Sequence, residues 1–133
     1  MLTLTKDMET GVAKNDEQHR ELINRINAVT SMGVKSASKE ETQKTLDLLN
    51  AYIIKHFSEE EELQKQSKYP KFDFHKNQHQ FFMKEFKALE NEFKKNGPSP
   101  KFTLDLSHSI INWIVKHIKN VDLEFAKYYN KLT

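Results

Sequence analysis

The strongest constraint on the fold is a run of apolar and histidine residues between positions 75 and 93. They follow one another at intervals of four, three, four, three and four: His75, His79, Phe82, Phe86, Leu89 and Phe93. Such spacing places every side chain on one face of an α-helix and is typical of the seam of a helical bundle. Because histidine takes the first two places, this helix is predicted to carry two imidazoles into a packed core.

Two helical segments precede this one. Helix A is expected to begin at Asn15 or Asp16, both good N-cap residues, and to end at Gly33. A short loop ends at Ser38, where the sequence Ser-Lys-Glu-Glu forms a capping box that starts helix B. Helix B is expected to end before Pro70, since proline disfavours continuation of a helix.

The helix that contains residues 75–93 is helix C, and the Gly-Pro-Ser-Pro sequence at 97–100 ends it and turns the chain; the fourth helix, helix D, follows. Residues 1 to about 14 show no sustained period and are interpreted as an irregular arm. Four amphipathic helices with short connections predict an all-α fold, an antiparallel up-down-up-down four-helix bundle. At 133 residues the chain is expected to form a single domain, 1–133.

Composition excludes several classes of function. The chain has no cysteine, which removes thiolate metal sites and cysteine nucleophiles and is consistent with a reducing cytoplasm. Lys and Arg alternate with Asp and Glu along the chain, and the net charge is only +2, so no nucleic acid partner is expected. No apolar run reaches the roughly 18 residues of a membrane span, and no signal peptide is visible. A cytoplasmic protein without a membrane partner is therefore expected.

Each predicted helix contains one or two candidate donor residues, histidine or carboxylate, and all of these candidates lie toward the same end of the bundle. They lie early in helix A, late in B, early in C and late in D, and antiparallel packing brings these positions to one level. The set comprises His19, His56, Glu60, His75, His79, His117 and Asp122. Seven donors exceed the needs of one tetrahedral zinc and suit two octahedral ions with bridging carboxylates. Iron is the predicted metal.

One spacing does not fit a regular helix. His117 and Asp122 are five residues apart, about 140° around an α-helix, so they would point to different sides. A one-residue π-bulge between them would turn both inward, and such bulges concentrate at functional sites. We therefore predict a π-bulge at this point. His108 lies about 180° from His117 on the same helix and is predicted to be a surface histidine.

Each of these features also has a simpler explanation. His19 alone is more typical of a core histidine, and the pair on helix C could lie on the surface. The acidic run Glu59–Glu62 is typical of a solvated face, in which only Glu60 has the spacing to His56 that coordination needs. However, five imidazoles buried without a metal would leave many ring nitrogens without partners, which disfavours a metal-free bundle.

The order of these motifs resembles the hemerythrin family, in the form of a single-domain bacterial member. The resemblance covers all four helices: one His on A, HxxxE on B, HxxxH on C and HxxxxD on D. Local sequences agree as well: Asp16-Glu-Gln-His19, His56-Phe57, Tyr69-Pro70 before His75-Lys76, and Trp113-Ile-Val-Lys-His117-Ile118. The chain departs from the family in its arm, where bacterial members commonly carry a tryptophan; here the single tryptophan is Trp113.

The resemblance implies a cofactor of two iron ions bridged by an oxo or hydroxo group and by the carboxylates of Glu60 and Asp122. One iron would take three histidines and be coordinatively full. The other would take two histidines and keep one position open, where dioxygen binds reversibly. The three are His75, His79 and His117, and the two are His19 and His56. Such a protein is an oxygen carrier, store or sensor and not an enzyme.

Apolar residues next to the donors are predicted to form a dry oxygen pocket: Leu22, Phe57, Phe82, Trp113 and Ile114. Packing in an ordinary core explains the aromatic members equally well. The alternative function is a diiron enzyme, either an oxidase or peroxidase or a protein of nitric oxide handling or repair. Ferritin-like enzymes use two Glu-x-x-His motifs, and this chain has none. A zinc protease is also disfavoured, because Lys76 stands where the HExxH motif has its glutamate.

Overall fold

The chain forms four helices. The structure, a computed structural model, describes residues 3–34 and 38–132, and within these ranges it contains no strand. The first three helices are α1 (Ala13–Val34), α2 (Lys39–Gln66) and α3 (Phe72–Asn96). Helix α1 packs against α2, α2 against α3, and a fourth helix, α4, closes the ring by contacting both α1 and α3. The predicted all-α four-helix bundle is thereby confirmed.

Helix α4 is one continuous helix with two widened turns. Its α-helical segments are Pro100–Leu106, Asn112–Lys116 and Leu123–Lys131. Two π-helical segments, Ser107–Ile111 and His117–Asp122, join them. The second π segment is the bulge predicted from the five-residue spacing, whereas the first was not predicted.

The start of α1 differs from the sequence prediction. The helix begins at Ala13, before Asn15 and Asp16, so neither residue is its N-cap. The reason lies in the Asp16 carboxylate, which accepts hydrogen bonds from the backbone N–H (2.7 Å) and hydroxyl (2.8 Å) of Thr10. Its second oxygen accepts from the N–H of Gly11 at 3.3 Å. Asp16 therefore holds the preceding arm against the first turn of the helix.

The other helix ends follow the local sequence. Ser38 accepts the backbone N–H of Glu41 at 3.1 Å, which confirms the predicted cap of α2; of the loop expected at 35–38, residues 35–37 lie outside the described residues. Helix α3 ends at Gly97, whose φ of 73° is readily adopted by glycine. Pro100 begins α4, and Ser99 accepts the N–H of Phe102 at 3.0 Å.

The N-terminal arm is irregular, as predicted, but it is packed. A short 3-10 turn, Lys6–Met8, buries the side chain of Met8 in the bundle. The arm also contacts the π segment His117–Asp122 of α4. Asp7 forms an ion pair with Lys119 in that segment at 3.1 Å. Met8 is thus the apolar side chain with which this arm closes the end of the bundle.

The apolar core occupies the other end and the middle of the bundle. Its largest fully buried side chains include Phe86 and Phe93 from α3, Leu49 and Ile53 from α2, and Ile110 from α4. The seam predicted for helix C is therefore buried along its length. Among the described residues, no helix combines the length and the apolar character that crossing a bilayer requires.

Replacing Phe93 with alanine tests this core. Phe93 is fully buried and packs against Phe102, with ring centroids 4.9 Å apart. We expect Phe93→Ala to lower the free energy of unfolding by about 3–5 kcal/mol, because it removes apolar contacts and leaves a cavity. Urea denaturation followed by circular dichroism measures the change. The exposed neighbour Lys95 provides the control: Lys95→Ala should change the value by less than about 0.5 kcal/mol. Equal losses in both variants would contradict this packing.

Candidate metal centre

The four helices bring all seven predicted donor residues to one end of the bundle. Helix α1 supplies one, α2 and α3 supply two each, and the second π segment of α4 supplies two. Each residue is at most 4% exposed. In order along the chain they are His19, His56, Glu60, His75, His79, His117 and Asp122. The predicted convergence is therefore observed, while the role of these residues as metal ligands stays a prediction.

The π segment explains how α4 contributes two side chains. A π-helix has more residues per turn than an α-helix, so residues five apart return to the same face. His117 Nε2 and Asp122 Oδ1 accordingly lie 3.0 Å apart. His108 is exposed, as predicted, and takes no part in this cluster.

The donor atoms form two overlapping groups. Within each group the atoms that could bind an ion all lie within 4.8 Å of one another. The larger group contains three histidines and the smaller contains two, and both contain Glu60 and Asp122. The larger group consists of Glu60, His75, His79, His117 and Asp122, and the smaller group consists of His19, His56, Glu60 and Asp122. Two ions held here would share both carboxylates.

Burial and the two carboxylates control protonation of the site. Burial lowers the pKa of His56 to about 4, with only partial compensation by Glu60. Burial also acts to lower the pKa of His75, but its contacts with Asp122 and Glu60 outweigh this effect and raise the pKa to about 10. Burial acts to raise the pKa of Asp122, but His117 and two other histidines surround the carboxylate and hold its pKa well below the usual range. The carboxylates are thus ionised and attract cations.

The buried polar atoms of the cluster provide a test of whether metal ions fit. Among the described residues, eight buried side-chain nitrogen and oxygen atoms have no hydrogen-bond partner, and seven of them belong to the predicted donors. Both oxygens of Glu60 are in this set, as are Nε2 of His19 and of His79. His79 Nε2 nevertheless lies 3.1 Å from Glu60 Oε1. Buried polar atoms that converge without hydrogen-bond geometry are what a metal ion would satisfy.

Three residues that the sequence analysis did not predict contact the outward-facing nitrogens of the histidines. His56 Nδ1 lies 2.8 Å from Oε1 of Gln18. A side-chain oxygen of Glu61 lies 2.9 Å from His79 Nδ1.

The third is Gln64, whose amide lies 2.8 Å from His75 Nδ1. The amide oxygen of Gln64 would accept the ring N–H if oxygen and nitrogen were exchanged. Such partners fix the orientation of a coordinating imidazole. Gln64 had a detectable signal, because it continues the four-residue spacing of His56 and Glu60.

The predicted oxygen-pocket residues form an apolar layer beside the larger group. The ring of Phe57 stacks on His79 with centroids 3.8 Å apart, and Trp113 stacks on His117 at 4.3 Å. Phe82 contacts both aromatic rings, at 5.6 Å and 4.5 Å. The remaining two members are also buried in the core: Leu22 and Ile114. Its aromatic rings contact the histidines of the three-histidine group, and the role of these five residues as an oxygen pocket stays a prediction.

Comparison with known proteins agrees with this geometry. The family model described as the hemerythrin HHE cation binding domain matches residues 10–129. A bacteriohemerythrin of Methylococcus capsulatus is 30% identical over 114 residues, which cover 85% of this chain and 84% of that protein. A bacteriohemerythrin of Clostridium acetobutylicum is 27% identical over 128 residues, covering 94% and 98%. A myohemerythrin of Sipunculus nudus is 29% identical over 110 residues, which cover 83% of this chain and 78% of that protein. The chain therefore belongs to the hemerythrin family of HHE cation-binding domains.

Proposed function

We propose that this protein binds dioxygen reversibly at a pair of iron ions held by the seven buried donors. The observation that carries the proposal is the division of those donors into two groups of unequal size that share Glu60 and Asp122. The names of the relatives, bacteriohemerythrin and myohemerythrin, point in the same direction.

Counting donors explains why one of the two positions would accept a ligand. Three histidines, two shared carboxylates and one bridging oxygen make six donors, which completes an octahedron. The smaller group, with His19 and His56, supplies one donor fewer and so leaves one position for an exogenous ligand. Two ferrous ions held by these seven residues would supply the reducing equivalents for binding dioxygen. The inequality of the two groups is therefore what assigns ligand binding to the two-histidine side.

Burial of the donor residues limits the access of bulk water to this region. All seven donor residues are at most 4% exposed, and Met8 of the arm is 2% exposed. The aromatic layer of Phe57, Phe82 and Trp113 covers the three-histidine side. Exclusion of water and anions favours a small neutral ligand and slows oxidation of the metal by solvent.

The composition of the donor set favours binding over turnover. Five imidazoles and two carboxylates form a histidine-rich site, whereas diiron enzymes of the ferritin-like class use four carboxylates with two histidines. Neutral imidazoles stabilise lower oxidation states of iron more than anionic ligands do. The set therefore suits release of unchanged dioxygen, and a diiron oxidase or peroxidase is the outcome that the first experiment must distinguish.

Purified protein is expected to contain two iron ions per chain, because the shared carboxylates link two groups. After anaerobic reduction, exposure to air should produce an oxygen-to-iron charge-transfer band that disappears again under argon. Elemental analysis and absorption spectroscopy provide the two measurements. One zinc ion per chain would exclude both diiron functions. Irreversible bleaching with release of peroxide would instead favour the enzyme.

Replacing His56 with alanine should abolish stable dioxygen binding. The substitution removes one of the two histidines of the smaller group, so that the ligand-binding iron loses one of its coordinating side chains. Reversible formation of the charge-transfer band under air and argon measures the effect. The exposed His108 offers a matched control, and His108→Ala should bind dioxygen as the unmodified protein does. Normal binding by His56→Ala would refute the assignment of the open position.

Gln64 is expected to support iron binding through His75. Replacing Gln64, which is fully buried, by leucine removes the amide 2.8 Å from His75 Nδ1 and so one of the contacts that fix the orientation of that ring. We expect Gln64→Leu to weaken iron affinity by about 10- to 100-fold. Competition with a coloured chelator measures affinity. The exposed residue Gln80 supplies the control substitution Gln80→Leu, for which no change is expected. Unchanged affinity in Gln64→Leu would show that this contact does not support the metal.

A further inference from the structure

A cavity lined by residues of α1, α2 and the end of α4 reaches from the surface of the bundle to Glu60, one of the seven buried donors. Its volume is about 320 Å³, and its wall includes Glu60, a residue only 3% exposed. Around Glu60 the wall carries further carboxylates, Glu59 and Glu62. Of these two, Glu62 is exposed and Glu59 is half-buried. The carboxylates therefore form a series from the surface to the metal centre.

The chemistry of this wall suits a hydrated divalent cation. Besides the three carboxylates it presents the amides of Asn15, Gln18 and Gln66 and one cation, Lys14; the other lining residues are Val12, Leu63 and Tyr129. Carboxylate and amide oxygens are the groups that can replace water around a hard divalent ion one at a time. An ion with six waters occupies roughly 180 Å³, at about 30 Å³ per water. The cavity is therefore large enough for such an ion before it loses its hydration shell.

Glu60 provides the second observation that points to a cation. Both of its oxygens are buried and make no hydrogen bond among the described residues, although Oε1 lies 2.8 Å from His75 Nε2 and 3.1 Å from His79 Nε2. The same carboxylate belongs to both donor groups. A cation that reaches Glu60 through the cavity can therefore pass into either group without leaving this side chain.

The other faces of the metal centre are less suited to an ion. On the α3 and α4 side, the rings of Phe57 and Trp113 lie flat against His79 and His117. A second surface groove, of about 280 Å³, reaches His79 and is lined by Ile54, Phe57 and Met83 together with Ser58, Glu61 and Gln80. Its one carboxylate, Glu61, already lies 2.9 Å from His79 Nδ1, so this groove offers fewer oxygen ligands to replace the water of an ion than the first cavity does.

The net charge of the protein does not attract cations to the metal centre. The chain has a net charge of +2 with neutral histidines, so the protein as a whole does not attract cations. Local carboxylates must then provide the attraction, and clefts lined by one sign of charge accelerate association with oppositely charged ions.

We propose that this cavity is the route by which divalent iron reaches the metal centre. Glu59 and Glu62 attract the hydrated ion, and Glu60 transfers it from the cavity to the two donor groups. The inference rests on the diiron site proposed above. It assigns to Glu59 and Glu62 a role in the rate of metal uptake and not in the final coordination.

The single tryptophan provides the signal for a test. Trp113 stacks on His117, one of the predicted ligands, so a paramagnetic ion at the site should quench its fluorescence. Metal-free protein is mixed with Co²⁺ in a stopped-flow instrument, which avoids oxidation during loading. Removal of Co²⁺ by a chelator is followed by the same signal. Elemental analysis gives the final number of ions per chain.

The test variant is Glu59→Gln with Glu62→Gln. Gln18 Nε2 donates a hydrogen bond to Glu59, and a glutamine amide oxygen can still accept it, so the structure around His56 is preserved. We expect uptake to slow about tenfold and to lose most of its dependence on ionic strength. Release should slow as well, because a route affects passage in both directions, and two ions should still bind.

A control variant has the same change in charge at the far end of α2. Glu40 and Glu41 are both exposed, and Glu40→Gln with Glu41→Gln should load at the rate of the unmodified protein. The proposal is overturned if the test variant loads as fast as this control. It is also overturned if slower uptake is matched by faster release, since that pattern indicates weaker affinity alone. Either result with two ions bound would leave the diiron site standing, whereas failure of the unmodified protein to bind two ions would refute both proposals.

Discussion

Two buried carboxylates, Glu60 and Asp122, lie where the two groups of candidate donors overlap. Both are at most 3% exposed, and each belongs to both donor groups. An isolated carboxylate in such surroundings would take up a proton or be expelled to water, because burial of a charge is costly. Here imidazoles prevent this: His75 Nε2 lies 2.8 Å from Glu60 and 3.0 Å from Asp122. In the metal-free chain a proton on His75 supplies positive charge, and binding of a metal ion would release that proton.

The bundle separates this cluster of charged groups from the apolar core. The histidines lie at one end, whereas Leu49, Phe86 and Phe93 fill the middle and the other end. Between them lies the aromatic layer, in which Phe57 and Trp113 pack flat on imidazole rings. These contacts restrict ring rotation on one side, while hydrogen-bond partners restrict it on the other. Fixed donors bind metal more tightly than mobile ones, because less freedom is lost on binding.

The sequence predicted those features that depend on periodicity. The bundle, the common level of the donors and the π segment at His117–Asp122 all follow from spacing along single helices. The features it did not predict depend on contacts between segments distant in the chain or on backbone alternatives. Asp16 was expected to cap α1, but its carboxylate accepts a hydrogen bond from Thr10 of the arm. A carboxylate in the first turn of a helix can accept hydrogen bonds from the helix or from the residues that precede it. Likewise, Gln18 of α1 contacts His56 of the neighbouring helix α2, and no spacing within one helix predicts that contact.

The partners of the imidazoles differ in charge, and this difference agrees with the unequal donor groups. His79, in the three-histidine group, has Glu61 at its outer nitrogen, whereas His56, in the two-histidine group, has the amide of Gln18. A carboxylate partner makes an imidazole more basic and a stronger electron donor than a neutral amide does. The larger group thus contains one imidazole with a carboxylate partner, while His75 of the same group has the neutral amide of Gln64. Under the proposed function, the neutral partner of His56 would favour the ferrous state of an iron held in the smaller group, and so the release of a bound ligand unchanged.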